Sequence, residues 1–369
     1  IMIMDDFWLE SAFFQATRVI GNTGKNPAVG CVLVKDRELI GVGATSEGGR
    51  PHAEENAINM AGKQTKGSTM YVSLEPCNLD NNKKSCTKLI LKSGIKKVVI
   101  GMLDPNAETY KKGYKELIQR KIDVKVIKIS LNNFLINYAH YCCKIKKRPM
   151  IALKMATSID SKITHNNSTQ KWITTVFSRS HVQQLRSLYD AVLIGTHSML
   201  FDHPTLNTRI KGVNIANTRV IFDSKLKIDL KSNLIKSLKK NPLLIFTSSK
   251  YNIDKYNKLR KLGVQIHKVT LNKKKNISID KVLNSLNKTN IKSVLVEGGA
   301  KVATEFLNKK IVDIIYIYRA DCFIGGKALN MFEKIDFNKD FEFYNEVFLG
   351  SNKLEVWINK SLKQIHKVL

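Results

Sequence analysis

Three side chains suited to one metal ion, His52, Cys77 and Cys86, are scattered through a stretch that reads as helix, strand and helix, so any fold of this region has to gather them. They occur as His52-Ala53-Glu54, then the apolar run Met70 to Leu74, then Glu75-Pro76-Cys77, and finally Cys86. One imidazole and two thiolates leave the fourth tetrahedral position of Zn²⁺ open for water, as catalytic zinc requires, and the metal brings that water's pKa to about 7. Glu54 is then placed to shuttle protons and is not a ligand. Residues two apart do not share a helix face, so His52 and Glu54 are expected in the first turn of one helix, and Cys77 at the start of another, where thiolate is favoured. A lone His-x-Glu arises by chance and a lone Cys is more often a small buried hydrophobe. The joint order is what points to zinc, and it leaves Glu55, Cys31, Cys142, Cys143 and Cys322 to structural or solvent roles.

Around these ligands the chain alternates. Helices are expected at Trp8 to Arg18, His52 to Met60, Cys86 to Lys92 and Tyr114 to Arg120, and strands at Val29 to Val34, Met70 to Leu74, Lys97 to Ile100 and Val124 to Ile127. That is a three-layer α/β pattern. A basic segment, Lys144 to Pro149, marks a boundary, giving expected domains of residues 1–146 and 147–369. Two domains also suit 369 residues, beyond the ~250 to 300 at which one core stops growing. The second half offers strands at Ile151 to Ala156, Ala191 to Gly195, Val220 to Asp223, Leu243 to Phe246, Val294 to Glu297 and Ile311 to Tyr318, again an α/β sheet, with Leu271 to Ser278 as a surface loop.

The formal charge of +30 invites a nucleic-acid partner, but lysine is spread along the whole chain with much Asn and Ile, which reads as a solvated surface that would still favour a phosphorylated small molecule. No nucleic acid and no membrane partner are expected. Ile1 to Glu10 carries Asp5 and Asp6 where a secretory signal would be basic, and Ile311 to Tyr318 falls far short of the ~20 apolar residues of a membrane span. Six cysteines in so long a chain form no disulfide framework, and a cytoplasmic enzyme is expected.

The metal constellation resembles the zinc-dependent cytidine deaminase superfamily. Eight residues separate Cys77 from Cys86, and that spacing, with Asn26-Pro27-Ala28-Val29-Gly30, Leu74-Glu75-Pro76-Cys77 and Asp104-Pro105-Asn106, is similar to the deaminase domain of the bifunctional riboflavin-biosynthesis family. Departures are the Asn78 to Ser85 loop, Lys25 for a proline and Lys111 for a glycine. The second half continues the resemblance with Leu153-Lys154-Met155-Ala156, Lys171-Trp172-Ile173-Thr174, Asp190 to Gly195, Asp202-His203-Pro204-Thr205-Leu206, Arg209 and Val296-Glu297-Gly298-Gly299, which look like that family's reductase domain, a dihydrofolate-reductase-like fold. Here Ser161 replaces a glycine, His203 an Asp and Gln170 a serine. Independently of the family, Gly298-Gly299 before a helix from Ala300 to Leu307 lets backbone amides approach a phosphate. A tight turn without ligand is the other reading, since no Gly-x-Gly-x-x-Gly is present.

The resemblance implies Zn²⁺ and NADPH as cofactors. It implies NADPH contacts from Ala156, Trp172, Ser198, Asp202, Ser224 and the segment Gly299, Ala300, Lys301, Val302, Ala303, Thr304 and Glu305. Substrate contacts are implied for Asn26, Gln170, Arg186, Leu206, Arg209 and Glu297, with Lys154 catalytic and Arg186 and Arg209 as phosphate partners, since guanidinium forks match phosphate oxygens. A homodimer is implied as well. The expected chemistry is deamination of a phosphorylated pyrimidine followed by reduction of its ribosyl group. Two other readings stay open: a tRNA or nucleobase deaminase with an accessory domain, and a reductase whose deaminase has lapsed.

Overall fold

The computed structural model describes residues 2–78, 85–163, 172–210, 215–336 and 339–368. It divides into two compact units, Ile1–Arg148 with Ile365–Leu369, and Pro149–Gln364. The first unit holds strands β1 (Gly30–Lys35), β2 (Glu38–Ala44), β3 (Thr69–Leu74), β4 (Lys97–Met102) and β5 (Asp123–Val126), in the order β2-β1-β3-β4-β5. Its helices are α1 (Met2–Thr17), α2 (Ala53–Ala61), α3 (Cys86–Lys92), α4 (Lys112–Gln119) and α5 (Leu131–Tyr141).

The pleat of β1 explains the layering. Cys31 lies opposite Gly43 in the antiparallel β1–β2 pair, so those two share a face and Gly30 belongs to the other. A Cβ on Gly30 would lie 1.9 Å from Ala12 O, and one on Gly43 would lie 2.1 Å from Ala53 O. Helices α1 and α2 therefore press on opposite faces of the sheet, each close enough that only glycine fits beneath it. On α2 the small residues Ala53, Ala57 and Ala61 recur at every fourth position and are buried, which brings the helix start down onto β2. The α1 face is filled by Leu9, Phe13, Val32, Val34, Tyr71 and Val99.

The second unit is a nine-stranded sheet in the order β10-β9-β8-β7-β11-β6-β12-β14-β13. Its strands are β6 (Met150–Thr157), β7 (Ala191–Gly195), β8 (Thr218–Phe222), β9 (Leu243–Thr247), β10 (Gln265–Lys268), β11 (Ser293–Val296), β12 (Ile314–Arg319), β13 (Phe341–Leu349) and β14 (Asn352–Asn359). Its helices are α6 (Val176–Ser187), α7 (Thr196–Asp202), α8 (Asn233–Lys236), α9 (Ile253–Lys261), α10 (Ile279–Asn287), α11 (Ala300–Asn308) and α12 (Lys360–Val368), the last running past the end of this unit. The neighbours from β10 to β12 pair in parallel, and β14 and β13 close the edge antiparallel.

Alternate residues of the parallel strands feed two separate cores. Leu193, Val220, Leu244 and Val294 face one side with α10 and α11, while Val192, Ile221, Leu243 and Ile245 face the other with Leu234 and Leu259. Burial on both faces makes such strands read as continuous apolar runs, which is why β7 and β9 were visible in the sequence. Strand β2, broken by two glycines, and the half-exposed hairpin β13–β14 gave no such run and were not expected. The expected strand Ile311 to Tyr318 begins only at Ile314. Among the described residues no helix is long and apolar enough to cross a membrane.

Candidate active sites

In the first unit His52 is the residue immediately before α2, Glu54 lies in that helix's first turn, and Cys86 opens α3. Cys77 does not start a helix, contrary to the sequence expectation: it lies in the connection after β3, and the helix-start thiol is Cys86. The physical reason is that Cys77 is reached directly from the strand end through Pro76, whereas Ser85 supplies an extended entry to the helix. Ser85 Oγ donates to Cys77 O at 3.0 Å and Thr87 N donates to the same carbonyl at 3.1 Å, so the start of α3 and the Cys77 backbone are tied together.

The ligand atoms of His52, Cys77 and Cys86 all lie within 4.8 Å of one another. His52 Nδ1 is 3.3 Å from Cys86 Sγ and 3.6 Å from Cys77 Sγ. A tetrahedron with zinc's usual Zn–N and Zn–S bond lengths has an N···S edge of about 3.6 Å, so the three donors fit that ion. Glu54 is buried beside them, and burial pushes its carboxyl up while His52 pulls the other way. The loop 79–84 of the expected departure lies outside the described residues. Asn26 sits by the Gly49 turn, its Nδ2 donating to Gly49 O at 2.8 Å.

Sequence reasoning missed the part played by Glu75. Its buried carboxylate accepts three backbone N–H bonds, from Asp104 (3.1 Å), Lys111 (3.0 Å) and Tyr114 (3.0 Å), and so templates the segment 104–114 beside Pro76. Asp104 in turn accepts from Thr109 Oγ1 at 2.6 Å and lies 3.0 Å from His140 Nε2. Lys111, the replacement for a glycine, holds φ +57°, the left-handed region that glycine occupies without cost.

In the second unit the candidate cofactor residues collect at one edge. β8, β7, β11 and β6 are neighbours, and their carboxyl ends carry Ser224, the start of α7 with Ser198, Gly298-Gly299 with α11, and Ala156. Because β11 is inserted between β7 and β6 out of chain order, connections leave that edge in opposite directions, the arrangement that opens a crevice in parallel sheets. Gly299 precedes α11 with only Ser198 Oγ, at 3.5 Å, near the place of a Cβ, whereas one on Gly298 would meet Val302 Cβ at 2.7 Å. A phosphate-bearing dinucleotide fits that cradle. Not all of the segment faces it: Ala303 is in the core, Thr304 Oγ1 accepts from Glu333 N at 2.8 Å, and Glu305 accepts from Asn276. Ala300 and Val302 are half-buried and Lys301 is exposed. Trp172 lies under the Arg179 guanidinium, 5.0 Å from its ring centroid, and Asp202 is exposed while its charge still reaches Lys154. Gln170 lies outside the described residues.

Lys154, Arg186 and Glu297 form one ionic cluster. Arg186 Nε and Nη2 grip the two Glu297 oxygens at 2.6 and 2.9 Å, and Lys154 Nζ is 3.8 Å from Oε2. Burial pushes the Lys154 ammonium down against the pull of Glu297, and Glu297, despite burial, is held low by Arg186 and Lys154. Glu297 in the cluster and exposed Asp202 farther out both oppose the two cations in formal charge. Thus the Arg186 fork faces Glu297, while Arg209 is exposed with Nη1 3.4 Å from Thr205 Oγ1. His181 and Tyr318 were not foreseen: His181 Nδ1 meets Tyr318 Oη at 2.8 Å across 137 residues of sequence, and Lys154 Nζ lies 5.7 Å from the Tyr318 ring centroid. No local pattern announces such a pair.

Family models match both units: the RibD C-terminal domain over residues 149–356, and the cytidine and deoxycytidylate deaminase zinc-binding region over residues 2–102. The riboflavin biosynthesis protein RibD of Bacillus amyloliquefaciens is 34% identical over 328 residues, covering 88% of this chain and 86% of that one. The chain belongs to the RibD family. A RibD structure from Acinetobacter baumannii superposes with a TM-score of 0.87 at 29% identity, covering 98% of this chain and 100% of that one. One from Thermotoga maritima, described as a diaminohydroxyphosphoribosylaminopyrimidine deaminase/5-amino-6-(5-phosphoribosylamino)uracil reductase, has a TM-score of 0.83 at 31% identity and covers 96% and 99%. Like RibD, the chain joins a zinc-binding deaminase domain to a pyrimidine reductase domain and is a bifunctional enzyme of riboflavin biosynthesis. The whole-length match to RibD sets aside the tRNA-deaminase reading.

Proposed function

We propose that residues 1–146 hydrolytically deaminate 2,5-diamino-6-ribosylamino-4(3H)-pyrimidinone 5′-phosphate, and that residues 147–369 use NADPH to reduce the ribosyl group of the product to ribityl. The observation that carries the first step is the convergence of His52, Cys77 and Cys86 with buried Glu54 beside them. Bound zinc supplies a Lewis acid that makes hydroxide available near neutrality. Glu54 takes up a proton and delivers it to the departing amine, shielded from bulk water by its burial. His52, Cys77 and Cys86 hold the metal, and Asn26 contacts the pyrimidine.

In the second step NADPH supplies hydride. Ala156, Trp172, Ser198, Asp202, Ser224 and the start of α11 at Gly299 bind it, a role favoured by their collection at one sheet edge for all but Trp172 and Asp202. Lys154 donates to the sugar oxygen that gathers negative charge as hydride arrives, and Glu297, fixed by Arg186, orients that ammonium. Arg209 meets the 5′-phosphate, with Arg186, Leu206 and Gln170 completing the substrate contacts. Phosphorylated small molecules are the partners, without nucleic acid or membrane, in a cytoplasmic homodimer. Exposed Phe343, Val347 and Phe348 on edge strand β13, with Phe177 close to Gly350, are apolar surface suited to a second copy.

The deciding experiment follows ammonia release by the zinc-loaded chain, given the diaminopyrimidinone substrate without NADPH, with Glu54→Gln as the blank. Release by the parent alone is the expected result. Release by neither, with reductase activity intact, leaves the lapsed-deaminase reading.

A further inference from the structure

Segment 203–209, between α7 and β8, carries Leu206 and Arg209 on a backbone that ordinary residues resist: His203 has φ +45° and buried Leu206 has φ +55°. Left-handed conformations at non-glycine residues persist only where the surroundings hold them. Asn233 Nδ2 holds the His203 carbonyl at 2.9 Å, and two buried polar side chains at the start of β8 hold Thr205 and Thr208. Arg219 is 0% exposed, and its guanidinium donates to Thr205 O at 3.4 Å, to Ser237 Oγ at 2.6 Å and to Asn241 O. Burial brings its pKa down to about 10. Asn217 is 1% exposed and uses its whole amide. Nδ2 donates to Arg186 O at 2.7 Å and Tyr189 O at 2.5 Å, and Oδ1 accepts from Thr208 Oγ1 at 2.6 Å.

The carbonyls that Asn217 takes lie in and just after the last turn of α6, and at Arg186 O its bond adds to the one from Tyr189 N at 3.1 Å. The hydroxyl it takes belongs to the residue before Arg209. Two further bonds lay the segment along the same helix: Arg209 N donates to Gln183 Oε1 at 3.1 Å and Arg186 Nη1 to Asn207 O at 3.4 Å. We propose that Asn217 is a positioning residue of the reductase site, locking the segment that bears Arg209 to the helix end that bears Arg186, so that Arg209 is presented to the substrate phosphate. This rests on Arg209 being a phosphate contact, as read above. Only a carboxamide offers donors to two carbonyls and an acceptor to a hydroxyl at once. Aspartate would set a carboxylate against both carbonyl oxygens.

The test is steady-state NADPH oxidation by the full chain with the deaminated substrate, and with the same compound lacking its 5′-phosphate. Thr208→Val removes the tie to Asn217 Oδ1 and leaves the helix end untouched. It is expected to raise KM for the phosphorylated substrate about fivefold with kcat nearly unchanged, to leave the dephosphorylated compound unaffected, and to be reversed by Thr208→Ser. Asn217→Ala should do the same or more, and neither change should weaken binding further once Arg209→Ala is present. If Arg209→Ala raises KM while Thr208→Val leaves it at the parental value, the positioning role is wrong and the phosphate reading stands. If Arg209→Ala leaves KM unchanged, the phosphate reading fails and takes the positioning role with it. A destabilised Asn217→Ala shifts the weight to Thr208→Val, which alone separates these outcomes.

Discussion

The two units build their sites by opposite means. In the first, three donors suited to one metal ion and an acid come from short motifs at the ends of β3, α2 and α3. In the second, Lys154, Arg186 and Glu297 come from β6, α6 and the end of β11, and only the parallel pairing of β6 with β11 brings two of them side by side. A metal centre tolerates few donors in few geometries, so the residue types His, Cys and Cys are themselves a signal even when spread over a helix, a strand and a helix. An ionic cluster needs only a sheet that puts its members at one edge, and its residues can be 111 apart, as Arg186 and Glu297 are.

The largest effect expected from this contrast is at Glu54. Glu54→Gln removes the proton carrier without changing the ligand set, and ammonia release should fall about a thousandfold. Zinc content by atomic emission should stay at one per chain. Loss of metal together with activity would mean that Glu54 organises the site and does not carry its proton, which would erase the distinction between organiser and acid. Next comes Lys154→Ala. It should lower the rate of NADPH oxidation about a hundredfold and leave ammonia release at the parental rate, because the ammonium's work is confined to developing charge. Reduction at the parental rate would remove Lys154 from the chemistry.

The same contrast explains what the sequence made legible. The zinc ligands, Glu54 and the alternating strands of both units were readable because burial on two faces and tight motif spacing leave a local trace. The Gly298-Gly299 turn was readable as a phosphate cradle or a bare turn, and the structure adds Ser198 Oγ beside Gly299. Cys77 was misplaced at a helix start because a thiolate near a helix dipole is a sound rule that here belongs to Cys86, nine residues on. Glu75, the His181–Tyr318 pair and Asn217 were beyond reach, because their partners are backbone amides, carbonyls and hydroxyls that carry no sequence signature.

A smaller effect separates stability from chemistry in the first unit. Asp5 on α1 is buried, yet Lys97, Lys125 and Tyr71 Oη hold its carboxyl below the usual range against the upward push of burial. A depressed carboxylate contributes stability above its unfolded pKa near 4 and loses it as pH falls through the lower folded value. Asp5→Asn should therefore cost about 1 to 2 kcal/mol at neutral pH and flatten the stability curve below about pH 4, as read by urea denaturation. A curve parallel to the parent's at every pH would show that the ion pairs add nothing beyond burial.

The smallest effects make the sharpest comparison, because the same change is available in both units. Lys111 and Ser161 stand where the resemblance expects glycine, and both hold left-handed backbone, φ +57° and φ +60°. A side chain there costs about 1 kcal/mol, partly offset by the entropy that glycine loses on folding. Lys111→Gly and Ser161→Gly should each raise stability by a few tenths of a kcal/mol to about 1 kcal/mol in urea denaturation. Lys111 also donates its backbone N–H to Glu75, so any gain in activity from relaxing it should appear in ammonia release and not in NADPH oxidation. Ser161, three residues after the buried Ser158 whose Oγ bonds Asp160 Oδ1 at 2.6 Å, should act on the reductase alone. A Lys111→Gly protein that is less stable than the parent would mean that the lysine side chain contributes more than its backbone strain takes away, and that this departure from the family is an adaptation of the segment Glu75 organises.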